Sequence, residues 1–194
     1  MKRFVETALV ILTAPLWLAV LALATLAVLL ADGRPVFFFQ ERAGLGGRAF
    51  RIAKLRTMRG GEGGDAERTT RLGRILRASS LDELPQLFQV LSGRMALVGP
   101  RPLPVRYLAR YTPQEARRHE VRPGITGWAQ VNGRNAISWE ERLALDVWYV
   151  DHRSAALDLK IIFLTVFRVF ARSGVNAGAE TTMEEFRPGK GLEK

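Results

Sequence analysis

The chain has no cysteine, which excludes a disulfide framework and any thiolate metal site. It has two histidines, His119 and His152, with no second ligand spaced for zinc. A bound metal would therefore be a hard, oxygen-ligated ion such as magnesium. Acid is scarce relative to base: 19 Asp and Glu against 29 Lys and Arg give a formal charge of +10 over 194 residues. That balance implies anionic partners: nucleic acid, anionic lipid or a phosphorylated substrate. The basic residues are scattered and mixed with Gly-Pro loops, without a clustered basic face or an aromatic stacking platform, so no nucleic acid is expected. There is no internal repeat and no clear boundary after residue 33.

What the chain does have is a charge-free stretch from Thr7 to Ala31, mostly Leu, Ala and Val. A bilayer-spanning helix needs roughly 20 such residues. Pro15 interrupts it, removing a helix hydrogen bond, so a kink or break is expected there. Lys2 and Arg3 precede the stretch, and Arg34, Arg42, Arg48 and Arg51 follow it. Positive charge on both flanks selects no orientation. Three readings fit: a tilted span, a re-entrant helix that bends at Pro15 and returns to the same face, or a signal peptide with Ala22-Leu23-Ala24 as its cleavage motif. The apolar run continues past that motif to Leu30, which weakens the third. In the re-entrant reading the Thr13 hydroxyl helps satisfy the backbone at the break.

The second feature is Leu81-Asp82-Glu83-Leu84-Pro85-Gln86-Leu87, an adjacent carboxylate pair amid base. Arg74, Arg77, Ser79 and Ser80 lie just upstream, and Val98-Gly99-Pro100-Arg101-Pro102 just downstream. Ser80 and Glu83 fit a capping box, or Asp82 is itself the N-cap with Pro85 in the first turn. Both place the acids at a helix N-terminus, where free N–H groups and the helix dipole favour phosphate. A carboxylate pair there suits phosphoryl transfer with a divalent cation; a capped helix with solvated acids fits the same letters.

The rest reads as short elements with many breakers. Strands are expected over Val36 to Gln40 and Phe50 to Met58, joined by a turn at Gly44, Gly46 and Gly47. Gly60 to Glu67 reads as a mobile loop. Helices are expected at Leu72 to Arg77, Leu84 to Leu91, Tyr107 to Glu120 and Trp139 to Val150, with a short strand at Trp128 to Val131. Residues 157–172 are apolar around Lys160, Arg168 and Arg172, too short to span, and fit either an interfacial amphipathic helix or a buried one. The fold class is α+β, mostly helical with a few short strands.

Five motifs then occur in order: Lys54-Leu55-Arg56-Thr57-Met58, Ser80-Leu81-Asp82-Glu83-Leu84-Pro85-Gln86, Leu97-Val98-Gly99-Pro100-Arg101-Pro102, Arg122-Pro123-Gly124-Ile125-Thr126-Gly127-Trp128-Ala129-Gln130-Val131-Asn132-Gly133-Arg134, and Asp158-Leu159-Lys160-Ile161. The chain resembles the bacterial sugar transferases, the small monotopic phosphoglycosyl transferases, from its apolar segment to about Phe186. It departs from them at Ala14, where serine is familiar before the proline, and at Leu55, where phenylalanine is usual.

The resemblance implies transfer of a sugar 1-phosphate from a UDP-sugar to polyprenol (undecaprenyl) phosphate, with release of UMP. It implies magnesium, with manganese as a substitute, and a product passed to downstream glycosyltransferases. Residues 1–33 would be a re-entrant membrane helix broken near Pro15, 34–186 a cytoplasmic catalytic domain on the membrane surface, and 187–194 a disordered tail. The implied location is the bacterial inner membrane, cytoplasmic face, with both termini cytoplasmic and the bilayer itself a partner. Asp82 would be the nucleophile that forms a phosphosugar–aspartate intermediate, and Glu83, with Asp82, the metal ligand. Arg77, one turn before Asp82, would orient the pair through a salt bridge. Lys54, Arg56, Arg101 and Arg122 are candidates for phosphate contacts; Asp158 matches a motif and fits a structural or a substrate role. Direct transfer without a covalent intermediate, and a non-enzymatic membrane-anchored basic protein, are the alternatives.

Overall fold

The structure is a computed structural model that describes residues 2–133, 137–170 and 185–186. The expected tail at 187–194, Arg134 and Arg172 lie outside the described residues.

Helices α1 (Lys2–Leu12) and α2 (Ala14–Asp32) meet at Thr13. Pro15 has no N–H to offer the preceding turn, so the ladder is interrupted there. Two side chains bond back to carbonyls just before the break. Thr13 Oγ1 donates back to the carbonyls of Leu9 (2.8 Å) and Val10 (3.4 Å), and Trp17 Nε1 donates to Val10 O at 2.9 Å. Among the described residues, α2 alone is long and apolar enough to cross a membrane.

One stripe of α2, Trp17, Leu21, Ala24 and Val28, recurs at helical spacing and is buried. It packs on Ile52, Leu55, Leu76 and Val90 of the following domain. The other faces of both helices leave Phe4, Leu12, Leu16, Leu23 and Leu30 exposed. Both ends of the apolar segment are tied to that same domain. Lys2 Nζ donates to Val98 O (3.0 Å) and Tyr149 Oη (2.8 Å) and pairs with Asp158 (2.9 Å). At the far end Asp32 Oδ2 accepts from Thr70 Oγ1 at 2.9 Å, and the Arg56 guanidinium donates to the carbonyls of Asp32, Gly33 and Arg34.

Strands β1 (Phe37–Ala43) and β2 (Ala49–Leu55) form an antiparallel hairpin in which Phe38 pairs Lys54 and Arg42 pairs Phe50. Its turn needs glycine: Gly46 and Gly47 both sit at positive φ, 62° and 72°. A short helix α3 (Asp65–Arg68), inside the stretch expected as loop, precedes α4 (Arg71–Ala78), which Thr70 caps by accepting from Gly73 N. A Cβ on Gly73 would lie 2.0 Å from Thr57 O, so only glycine lets α4 press against the end of β2.

The stretch expected as one helix from Leu84 divides into a 3-10 turn, Leu81–Gln86, and α5 (Leu87–Leu91). Strands β3 (Ala96–Val98) and β4 (Gly124–Thr126) then pair in parallel. Between them the expected helix over Tyr107 to Glu120 is broken into two 3-10 turns around α6 (Pro113–Ala116). The cause is local: Thr112 and Glu115 form a capping box that starts a new helix at Pro113.

The strand expected at Trp128 to Val131 is instead helix α7 (Trp128–Asn132). Its would-be partner strand ends at Val98, opposite Thr126, so no edge remains to pair with. Helix α8 (Trp139–His152) starts from a Ser138–Glu141 capping box, and α9 (Ala155–Phe170) closes the described fold. Helix α9 buries Ile161 yet exposes Leu159, Phe163, Val166 and Phe167, an outward apolar stripe.

Candidate active site

Four elements converge on the acidic pair. The 3-10 turn Leu81–Gln86 carries it, β2 brings Lys54, the loop after β3 brings Arg101, and α4 fixes the approach to the turn. The capping box expected at Ser80 does not form. Ser80 adopts a left-handed conformation (φ 58°, ψ 17°) with no side-chain cap, and Asp82 lies inside the 3-10 turn. The physical reason is competition: Glu83 is held by two cations rather than by the Ser80 backbone. Lys54 Nζ and Arg101 Nη2 each lie 2.5 Å from Glu83 Oε1, and Arg101 Nη1 reaches Oε2 at 3.4 Å.

The two adjacent acids therefore differ electrostatically. Burial works against the Glu83 charge, but Arg101 and Lys54 outweigh it and hold the carboxyl far below the usual carboxylate range. Asp82 is buried too, with 9% of its side chain exposed, and its nearest cation, Lys54, is 3.9 Å away. Burial pushes its pKa up, Lys54 offsets part of the rise, and the Glu83 charge adds to it, leaving a value of about 6. Glu83 is a locked anion. Asp82 is the more basic, more weakly held carboxylate.

Arg101 is itself held from behind. Its carbonyl accepts from Arg118 Nη2 at 2.7 Å, and Arg118 is paired with Asp146 at 2.6 Å, both side chains 1–2% exposed. Burial raises the Asp146 pKa, and Arg118 works against that rise. Two backbones cross tightly beside Arg101. A Cβ on Gly124 would lie 2.1 Å from Gly99 N, and one on Gly127 2.2 Å from Gly99 O, which explains glycine at all three places.

The other candidates are placed unevenly. Lys54 and Arg101 join the acidic pair directly. Arg77 does not form the expected salt bridge: it donates to Thr57 Oγ1 (3.1 Å) and Thr69 Oγ1 (3.4 Å), although its charge still lowers the Asp82 pKa. Arg56 is engaged on the carbonyls at the end of α2, and Asp158 on Lys2 and on Tyr149, whose hydroxyl donates at 2.6 Å. Arg122, partly buried beside Gly99, makes no side-chain hydrogen bond or ion pair among the described residues. Arg118 and Asp146 escaped the sequence reading. The available signal was an acid on the apolar face of α8, among the buried Leu143, Val147 and Val150.

No group of three or more His, Asp or Glu able to hold a metal occurs among the described residues. The pair still suits magnesium, which binds through one or two carboxylates and completes its shell with water and substrate phosphates. Among the described residues Asp82 has only the 3.9 Å Lys54 contact and Glu83 Oε2 only a 3.4 Å one, so both keep lone pairs for a hard cation.

Residues 1–172 match the family described as bacterial sugar transferase. A Bacillus subtilis (strain 168) protein called an uncharacterized sugar transferase, EpsL, is 54% identical over 175 residues, covering 87% of each chain. A Caulobacter vibrioides UDP-glucose:undecaprenyl-phosphate glucose-1-phosphate transferase is 42% identical over 181 residues, 85% of this chain and 68% of its own. An Aeromonas hydrophila UDP-N-acetylgalactosamine-undecaprenyl-phosphate N-acetylgalactosaminephosphotransferase is 35% identical over 188 residues, 89% of this chain and 44% of its own.

Proposed function

The chain belongs to the bacterial sugar transferase family, and from that premise we propose that it moves a sugar 1-phosphate from a UDP-sugar to undecaprenyl phosphate, releasing UMP. The observation that carries the reading is the unequal pair. Glu83 has its charge neutralised by Lys54 and Arg101, whereas Asp82 keeps a carboxylate of raised basicity with lone pairs to use. Asp82 Oδ attacks the phosphorus that bears the sugar. The new bond is Asp82 Oδ–P; the bond that breaks joins that phosphorus to the oxygen bridging the two phosphates, and UMP leaves with the electron pair. The lipid phosphate oxygen then attacks the same phosphorus and frees Asp82. A polyprenol phosphate is already largely anionic at pH 7, with a second pKa of ~6, so a general base adds little. Two half-reactions also let a soluble donor and a membrane acceptor use one small site in turn.

Arg101 and Lys54 steer the diphosphate toward Asp82, and the Arg118–Asp146 pair behind Arg101 fixes its backbone. Arg122, which has no side-chain partner among the described residues, would add a phosphate contact. Magnesium or manganese on Glu83 and Asp82 would reduce repulsion between carboxylate and diphosphate and stabilise the leaving phosphate.

The same proposal covers topology. Lys2 and Asp32, at opposite ends of the apolar segment, are both bonded to one domain. That favours a re-entrant segment with both flanks on the cytoplasmic face of the inner membrane over a span that would separate them. Helix α9 would then lay its exposed Leu159, Phe163 and Phe167 in the interface. The lipid-linked sugar would pass to downstream glycosyltransferases. The test is UMP release from a panel of UDP-sugars by purified protein with undecaprenyl phosphate and magnesium. One or a few sugars should be consumed; no release from any would overturn the reading.

A further inference from the structure

One half-buried cation near the site has no acid paired with it among the described residues. Arg42 lies at the end of β1, and its backbone is clamped to the loop that carries Arg101: Arg42 bridges Pro104, and Ala43 N donates to Leu103 O at 2.9 Å. Its guanidinium meets only neutral acceptors, Pro102 O at 3.5 Å and Gln40 Oε1, and its buried Nε has no partner. No carboxylate forms an ion pair with it among the described residues. The titratable groups around it are Arg101 and Arg106, which work against its charge, and Tyr107 and Glu83, which favour it. Arg106 is paired with Glu185 and Arg101 with Glu83, so Arg42 is left over. Burial, then Arg101, pushes its pKa down to about 10, so it remains charged at neutral pH.

Holding an unpaired guanidinium in a half-buried place is unfavourable for the ligand-free protein. The fold gives the charge no ion pair among the described residues: its acceptors, Pro102 O and Gln40 Oε1, are both uncharged. Lys54 and Arg101 are matched by Asp82 and Glu83, so Arg42, bonded to Pro102 O in the loop that carries Arg101, adds an unmatched positive charge beside the phosphate-handling loop. A phosphate anion matches that added charge, and a guanidinium fork binds paired phosphate oxygens bidentately.

We infer that Arg42 is a substrate-binding residue that, with Arg101, forms a fixed cationic cradle for the diphosphate of a nucleoside diphosphate donor. The identity of that diphosphate as part of a sugar nucleotide rests on the transfer reading above; the cradle itself rests on Arg42.

The test uses full-length protein in detergent, with inorganic pyrophosphate as the probe and EDTA present. Pyrophosphate should raise the melting temperature of the wild type. Arg42→Gln should melt at or above the wild-type temperature without ligand and should lose most of the pyrophosphate-induced shift. Its KM for the UDP-sugar should rise on the order of 10-fold or more, with the KM for lipid phosphate unchanged. Arg42→Lys keeps the charge without the fork and should fall between the two; it carries the test if Arg42→Gln does not fold. Absence of a pyrophosphate shift in the wild type, or variants that keep both the shift and the donor KM, would overturn the cradle. If pyrophosphate binding depends on Arg42 while no UDP-sugar is turned over, the cradle stands and the transfer reading falls.

Discussion

Replacing Asp82 by Asn should abolish transfer and at the same time make the metal-free protein more stable. The side chain is almost fully buried, and its pKa rises from 3.8 to about 6 because burial outweighs Lys54. Ionising it in the folded state therefore costs ~3 kcal/mol, at 1.36 kcal/mol for each tenfold change in acidity. The folded state binds more protons than the unfolded chain between the two values, so stability falls as pH rises through pH ~4 to ~6. Asn cannot ionise and escapes that loss. For a chain of this size, up to ~3 kcal/mol corresponds to a melting temperature higher by roughly 6–12 °C. The assay is intrinsic tryptophan fluorescence on heating, in detergent with EDTA, at pH values from 4 to 8. The gap between Asp82→Asn and wild type should be near zero at pH 4 and fully open by pH 7. A variant that melts at or below wild type at pH 7.5, or a gap that does not change with pH, refutes the electrostatic account of Asp82.

Glu83→Gln should behave oppositely: it strips Lys54 and Arg101 of their shared partner and should lower the melting temperature as well as metal-dependent turnover, whereas an acid that only faced substrate would change stability little. Magnesium or manganese should be required for turnover, and EDTA should abolish it; full activity in EDTA would remove the metal role. Asp146→Asn, which leaves Arg118 buried without its ion pair, should destabilise by about 3–5 kcal/mol, and an unchanged melting temperature would contradict the support assigned to it. Single cysteines placed by Arg3→Cys and Arg34→Cys should be equally shielded from a periplasmic thiol reagent in intact cells, while labelling of the first alone would mean a full span. Pro15→Leu restores a helix hydrogen bond and should shift the Arg3→Cys site toward labelling.

The local signals in the sequence carried the local structure. The hairpin around Gly46 and Gly47, helix α8 behind Ser138, and the break before Pro15 all follow from residues within a few positions of the event. The sequence reading failed where a distant partner decides. Ser80 and Glu83 have the letters of a capping box, but Lys54 and Arg101, 29 and 18 residues from Glu83, take the carboxylate first. Trp128 to Val131 looks like strand until the partner edge ends at Val98. At the site, Asp82, Glu83, Lys54 and Arg101 were legible from their motifs. Arg77 and Arg56 were legible as important but not in their roles, because a motif does not say that Thr57 and the end of α2 stand closer than the acids. Arg42 and Arg118 were invisible as partners: in a chain with 29 Lys and Arg, only burial separates a working cation from a solvated one.

The central claim is that Asp82 carries the sugar phosphate covalently. The direct measurement is to incubate the protein with magnesium and a UDP-sugar labelled in the phosphate next to the sugar, without lipid, and to map the label by peptide mass spectrometry. The account predicts one phosphosugar on the peptide that contains Asp82, stoichiometric release of UMP, loss of the adduct on adding undecaprenyl phosphate, and none in Asp82→Asn. Turnover with intersecting initial-rate plots and no trapped adduct would contradict it, leaving Asp82 to act in a direct transfer.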